Sequence, residues 1–124
     1  MRVFKTKSFT RFAERERIAD TVLCDAVRRV VAGLIDADLG GGVIKQRLAR
    51  EGHGKSGGYR SIMLFRRGVL VFFVYGFAKS DRDNIRRDEL QAFRKLAESM
   101  LMLDTKALAA AMKNGTIVEI RYDG

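Results

Sequence analysis

The stretch HGKSGGYRSIMLF, residues 53–65, decides between two folds. Its Gly54-Lys55-Ser56 has the ending of a phosphate-cradling loop. Such a loop needs G-x-x-x-x-G-K-[ST] between a buried strand and a helix, so that backbone N–H groups at the helix start face the phosphates. The first glycine of that pattern would fall at Ala49, and the residues after Ser56 do not read as a helix. Tyr59 to Phe65 mixes aromatic and branched residues and reads as a strand. The nucleoside-triphosphate reading fails, and the glycine-rich segment becomes a loop joining two strands.

Downstream, Arg67-Gly68 is a hairpin signal that makes the flanking strands antiparallel neighbours. Val69 to Phe77 is apolar on both faces and is expected to be the central strand. In the strand before it, Arg60, Ile62, Leu64 and Arg66 share one side, and Tyr59, Ser61, Met63 and Phe65 the other. Upstream, Val43 to Leu48 alternates, with Ile44 and Leu48 inward and Lys45 and Arg47 outward, as a half-buried strand with a basic face does.

The spacing places a short strand at Val3 to Thr6. A helix comes next, capped by Ser8, that buries Phe9, Phe12 and Ala13. A second helix, capped by Asp20 or Thr21, carries Leu23, Val27, Val30 and Leu34 on one stripe, keeps Arg28 and Arg29 off it, and stops at Gly40-Gly41-Gly42. After the central strand, Asp83 or Asn84 opens a helix with Leu90, Phe93, Leu96, Ala97 and Met100 on its apolar side. A last helix spans Lys106 to Lys113, and a last strand Thr116 to Ile120. The reading is one α+β domain over residues 1–124, an N-terminal helix pair on a small, mostly antiparallel sheet with additional C-terminal helices.

The 124 residues carry a net charge of +9, which points to a polyanion or an acid-rich protein as partner. Most of the excess is central: from Lys45 to Arg82 there are nine Lys or Arg against two acids, Glu51 and Asp81. The chain enters charged residues at once and has no apolar run near the roughly 18 residues of a membrane helix. A cytoplasmic protein without a membrane partner is expected. Cys24 is the only cysteine, and its apolar neighbours suggest a buried thiol.

His53 is the only histidine, so cleavage by a histidine pair is excluded within this chain. The central segment lacks the carboxylate, His or Cys cluster that metal-dependent hydrolysis needs, and no cofactor or metal is expected. What remains is Lys and Arg on adjacent strands, with Tyr59 and Tyr75. Cations can stabilise a pentacoordinate phosphorane, and a lysine or tyrosine can move a proton while RNA supplies its own 2′-hydroxyl. The same residues suit plain RNA binding, with lysines on phosphates and aromatics on bases.

The helix pair, Val43-Ile44-Lys45-Gln46-Arg47, Gly54-Lys55-Ser56-Gly57-Gly58-Tyr59-Arg60, the Arg67-Gly68 hairpin and Phe72-Phe73-Val74-Tyr75-Gly76-Phe77-Ala78-Lys79-Ser80 together resemble the RelE/HigB toxins of type II toxin–antitoxin systems, within the RelE/ParE superfamily. The resemblance covers nearly the whole chain. It implies cleavage of mRNA in the ribosomal A site, and neutralisation by an antitoxin, often a helix-turn-helix protein encoded nearby. Arg60 matches the family's phosphate-contacting arginine, and Lys79 lies in its basic patch. The catalytic tyrosine that some relatives carry past the central strand has no counterpart here, since that region reads Arg82-Asp83-Asn84-Ile85. Tyr75, Lys55 or His53 is then left to move the proton. The site implied is Arg60, Lys55, Lys79 and Tyr75 for catalysis, with Lys45, Arg47, Arg82 and Tyr59 holding RNA. ParE-like relatives poison DNA gyrase instead, and a non-catalytic nucleic-acid-binding module is the third reading.

Overall fold

The hairpin read from Arg67-Gly68 stands at the centre of the fold. In the computed structural model, which describes residues 1–49 and 58–124, strand β4 (Tyr59–Arg66) turns back into β5 (Leu70–Ala78). Gly68 takes a φ of +74° in the turn, and the Val69 N–H closes it onto Arg66 O. The remaining elements are β1 (Arg2–Thr6), α1 (Lys7–Arg15), α2 (Asp20–Val31), β2 (Ala37–Asp38), β3 (Val43–Leu48), α3 (Arg87–Met100), α4 (Thr105–Lys113) and β6 (Ile117–Ile120).

The strands form one sheet in the order β2-β3-β4-β5-β1-β6. Every neighbouring pair is antiparallel except β1 with β5. The fold is α+β, as the patterning implied. One sheet face carries α1 and α2 over a core that includes Val3, Phe9, Phe12, Leu23, Val27, Met63 and Phe73. The other carries α3 and α4 over Phe4, Ile62, Leu64, Phe72, Ala97, Leu108 and Ile117. Gln46 is fully buried on the helix-pair side beside Ile44 and Leu48. Its amide donates to Leu34 O and accepts from the Asp36 N–H, both at 2.9 Å, which satisfies a group that burial would otherwise penalise.

The element ends differ from the sequence reading for local reasons. Helix α1 is capped by Thr6, whose hydroxyl accepts from the Phe9 N–H, because β1 runs straight into the helix and leaves Ser8 inside it. Helix α2 begins at Asp20 with Ala19 as its N-cap, so neither Asp20 nor Thr21 caps it; Asp20 instead pairs with Lys5 at 3.0 Å. It ends at Gly33 and not at the triple glycine. Gly33 adopts φ +87°, and the N–H groups of Gly33 and Leu34 return to Val30 O and Arg29 O, the pairing of a Schellman ending. Leu34 is therefore outside the helix and 65% exposed. Gly40 to Gly42 turn the short strand β2 into β3. Helix α3 begins at Arg87 after the Arg86 cap, with Asn84 taking the Ile85 N–H, and Leu96 falls off its buried side. Cys24 is buried as expected. Its thiol donates to Arg121 O at 3.2 Å, and burial first of all pushes its pKa up.

Candidate nucleic-acid interface

The sheet sets out the basic residues in rows. Lys45 pairs with Ile62, and Ile62 with Tyr75; one step along, Arg47 pairs with Arg60, and Arg60 with Phe77. Both rows lie on the face opposite the helix pair. The register slips in β5: Met63 pairs with Phe73 but Ile62 with Tyr75, so Val74 has no residue opposite it. This bulge reverses the alternation. Phe73 packs under α1, whereas Tyr75 and Phe77 emerge on the far side. Gly76 returns beneath Phe12. Without the extra residue Tyr75 would share the side of Phe73, away from Arg60.

Arg47 and Arg60 are half-buried. Among the described residues no carboxylate lies in ion-pair range of Lys45, Arg47, Arg60 or Lys79. The Nε atom of Arg47 and one terminal nitrogen of Arg60 are buried without a hydrogen-bond partner. Like charges directly opposed across a ladder destabilise the sheet, and each buried N–H left unpaired adds roughly 1–3 kcal/mol. The backbone beneath is nonetheless fixed: the Arg47 N–H donates to Asp36 Oδ2 at 2.6 Å, and Arg29 donates to Arg47 O. Two half-buried guanidinium groups with no described carboxylate in ion-pair range suit a phosphate.

The other sequence-derived residues are distributed unevenly. Lys45 Nζ reaches Asn84 Oδ1 at 3.3 Å, a neutral partner that does not balance its charge. Lys79 is exposed in the turn after β5, its N–H on Gly58 O. Lys55 and His53 lie outside the described residues. Tyr59 corrects the expectation of a base-stacking surface. It points to the helix-pair side, 3% exposed, with its ring edge-on to Phe12 at 5.7 Å.

Arg82 is also unlike the free RNA-holding cation expected. It donates to Glu89 at 2.6 and 3.2 Å, to the Tyr75 hydroxyl at 2.8 Å and to Asn84 O at 2.9 Å. Those hydrogen bonds, Glu89's first and Tyr75's second, hold its pKa above the ordinary arginine value. The Glu89 carboxyl is correspondingly held low, chiefly by Arg82 and next by the Arg86 N–H. Sequence reasoning missed Glu89 altogether, because a pair joining a loop to the first turn of a helix leaves no periodic trace.

A family model described as the RelE toxin of the RelE/RelB toxin–antitoxin system matches residues 1–120. The chain belongs to the RelE toxin family. This RelE-family protein is thus a toxin of a toxin–antitoxin system, and membership implies an antitoxin partner. Toxins of the family are generally endoribonucleases. Among curated proteins no relative matches the chain. Among the described residues, cavities of 410 and 310 Å³ lie along β1–β6 and beside α2. Among the described residues no three His, Cys, Asp or Glu gather into a ligand cluster, and no helix is long and apolar enough to cross a membrane.

Proposed function

We propose that this RelE-family toxin is a ribosome-dependent mRNA endonuclease that stops translation, its substrate being message held in the ribosomal A site. The observation that carries the reading is the Arg47–Arg60 pair, two guanidinium groups opposed across β3 and β4 with no described carboxylate in ion-pair range. Arg60 grips the scissile phosphate, with Lys79 and Lys55 adding positive charge to it, and Lys45 and Arg47 hold the neighbouring backbone. The 2′-hydroxyl oxygen attacks the adjacent phosphorus and the bond to the 5′-oxygen breaks. The proton leaving the 2′-oxygen passes to a base and a proton reaches the 5′-oxygen. The products are a 2′,3′-cyclic phosphate and a 5′-hydroxyl. Cations around the phosphorane stabilise the added negative charge, and Tyr75 is the proton-handling side chain on this face.

The test is to map transcript ends after brief expression without antitoxin. Cuts inside translated codons, absent in Arg60→Ala, support the nuclease. Inhibited supercoiling without cuts would instead make the protein a gyrase-directed toxin, and unimpaired growth would sink both.

A further inference from the structure

The guanidinium of Arg82 has five N–H donors, and four are in use. Nε donates to Asn84 O, one terminal nitrogen to both Tyr75 Oη and Glu89 Oε2, and the other to Glu89 Oε1. The group lies across the rings of Tyr75 and Phe77, 5.7 and 5.6 Å from their centroids. A cation so occupied has one donor left for RNA, and its charge is already balanced.

Each partner is itself held. Glu89 sits in the first turn of α3, and its Oε1 also accepts the Arg86 N–H at 2.7 Å, so the helix start fixes the carboxylate. The Tyr75 ring packs against Phe77 and Phe93 at 5.9 and 6.0 Å. Its oxygen accepts from Arg82, which turns the phenolic proton away from the guanidinium.

We infer that Glu89 and Arg82 are positioning residues: the carboxylate fixes the guanidinium, and the guanidinium fixes the Tyr75 hydroxyl on the face that carries Arg60. The inference rests on the nuclease reading for its consequence and on α3 for its geometry. It assigns Arg82 to orienting a neighbour rather than to holding RNA.

The test is single-turnover cleavage of ribosome-bound message by the full chain, comparing wild type, Glu89→Gln, Tyr75→Phe and the double variant. Glutamine keeps the size of Glu89 but cannot hold the guanidinium by charge. Tyr75→Phe is expected to slow the cleavage step by about 100-fold and Glu89→Gln by about 10-fold, with half-saturating toxin concentration unchanged. The double variant should match Tyr75→Phe alone within about twofold, because both act through one hydroxyl. Slowing that multiplies in the double variant, or a change confined to half-saturation, would overturn the inference. If Glu89→Gln does not fold, Arg82→Lys takes its place with the same non-additivity expected. An independent arm measures rotation of the Arg82 guanidinium by NMR in the absence of RNA: hindered in wild type and free in Glu89→Gln. Free rotation in wild type would end the positioning role while leaving the nuclease intact. A wild-type protein that cuts nothing, with Arg82 still hindered, would remove the nuclease reading and with it this role in cleavage.

Discussion

Arg47 and Arg60 face one another across two antiparallel strands, each with a buried nitrogen that no described residue satisfies. Such an arrangement sacrifices stability at one place in the sheet. Replacing Arg60 by Met, similar in reach but uncharged, is expected to raise unfolding stability by roughly 1 kcal/mol. Cleavage should fall by about 100-fold. Phosphate or sulfate should raise the melting temperature of wild type and leave Arg60→Met unmoved. A less stable Met variant would show that the pair is satisfied by some other group.

Arg60→Lys separates shape from charge. Guanidinium makes two parallel bonds to a phosphate, whereas ammonium makes one point contact. The lysine variant is expected to cut message nearly as poorly as Arg60→Ala in a translation extract. A wild-type rate would reduce the role of Arg60 to its charge.

Salt dependence distinguishes the cations without a described ion-pair partner from the paired one. Lys45→Ala and Arg47→Ala should each lower the slope of log affinity against log salt by roughly 0.7–0.9 for RNA or ribosome binding. Arg82→Gln should change it little, because Glu89 already balances that charge. Equal slopes across all three variants would place the RNA elsewhere.

Gly76 has a steric reason to be glycine. A Cβ there would meet Phe12 Cε2 at 2.3 Å and Cδ2 at 2.5 Å, next to the bulge that re-aims Tyr75. Gly76→Ala is expected to destabilise the protein by about 2–3 kcal/mol in chemical denaturation. An unchanged midpoint would mean that α1 shifts away freely.

The lowered carboxyl pKa values fix the sign of the acid response. Arg82 holds Glu89 below its ordinary 4.5, Arg2 does the same for Glu119, and Arg86 holds Asp88 below 3.8. A lowered folded pKa contributes stability that is complete above the unfolded value and is lost as pH falls through the folded one. Melting temperature should therefore drop below about pH 4.5, and Glu89→Gln should drop less steeply. These groups lie near the surface, so added salt should shrink the difference. A Glu89→Gln curve parallel to wild type would contradict the pairing.

Much of this fold was legible in the apolar pattern. Val69 to Phe77 announced an interior strand and Arg67-Gly68 its hairpin, because burial on both faces and a positive φ each restrict residue type. The alternation had also placed Tyr59 opposite Arg60, with Met63 and Phe65. The contrary expectation that Tyr59 stacks on bases came from residue type and not position. The expectation that α2 runs to the triple glycine at 40–42 overlooked Gly33, whose positive φ ends the helix. The bulge at Val74 and the Arg82–Glu89 pair were not legible. The first depends on how Phe12 seats on Gly76, the second on where α3 returns to the sheet, and both are tertiary facts.

The placement of β1 has a consequence for the order in which the molecule can be assembled during synthesis. Strands β3, β4 and β5 are consecutive, so the arginine face can close through pairings near in sequence. Strand β1 is made first, yet its parallel partner begins at Leu70, and its other neighbour, β6, begins at Ile117. Vectorial emergence from the ribosome thus runs against the order of contacts, and distant pairings form slowly. In a chain arrested with β5 outside the exit tunnel and β6 still within it, β3–β5 should resist protease while the open side of β1 awaits its last neighbour.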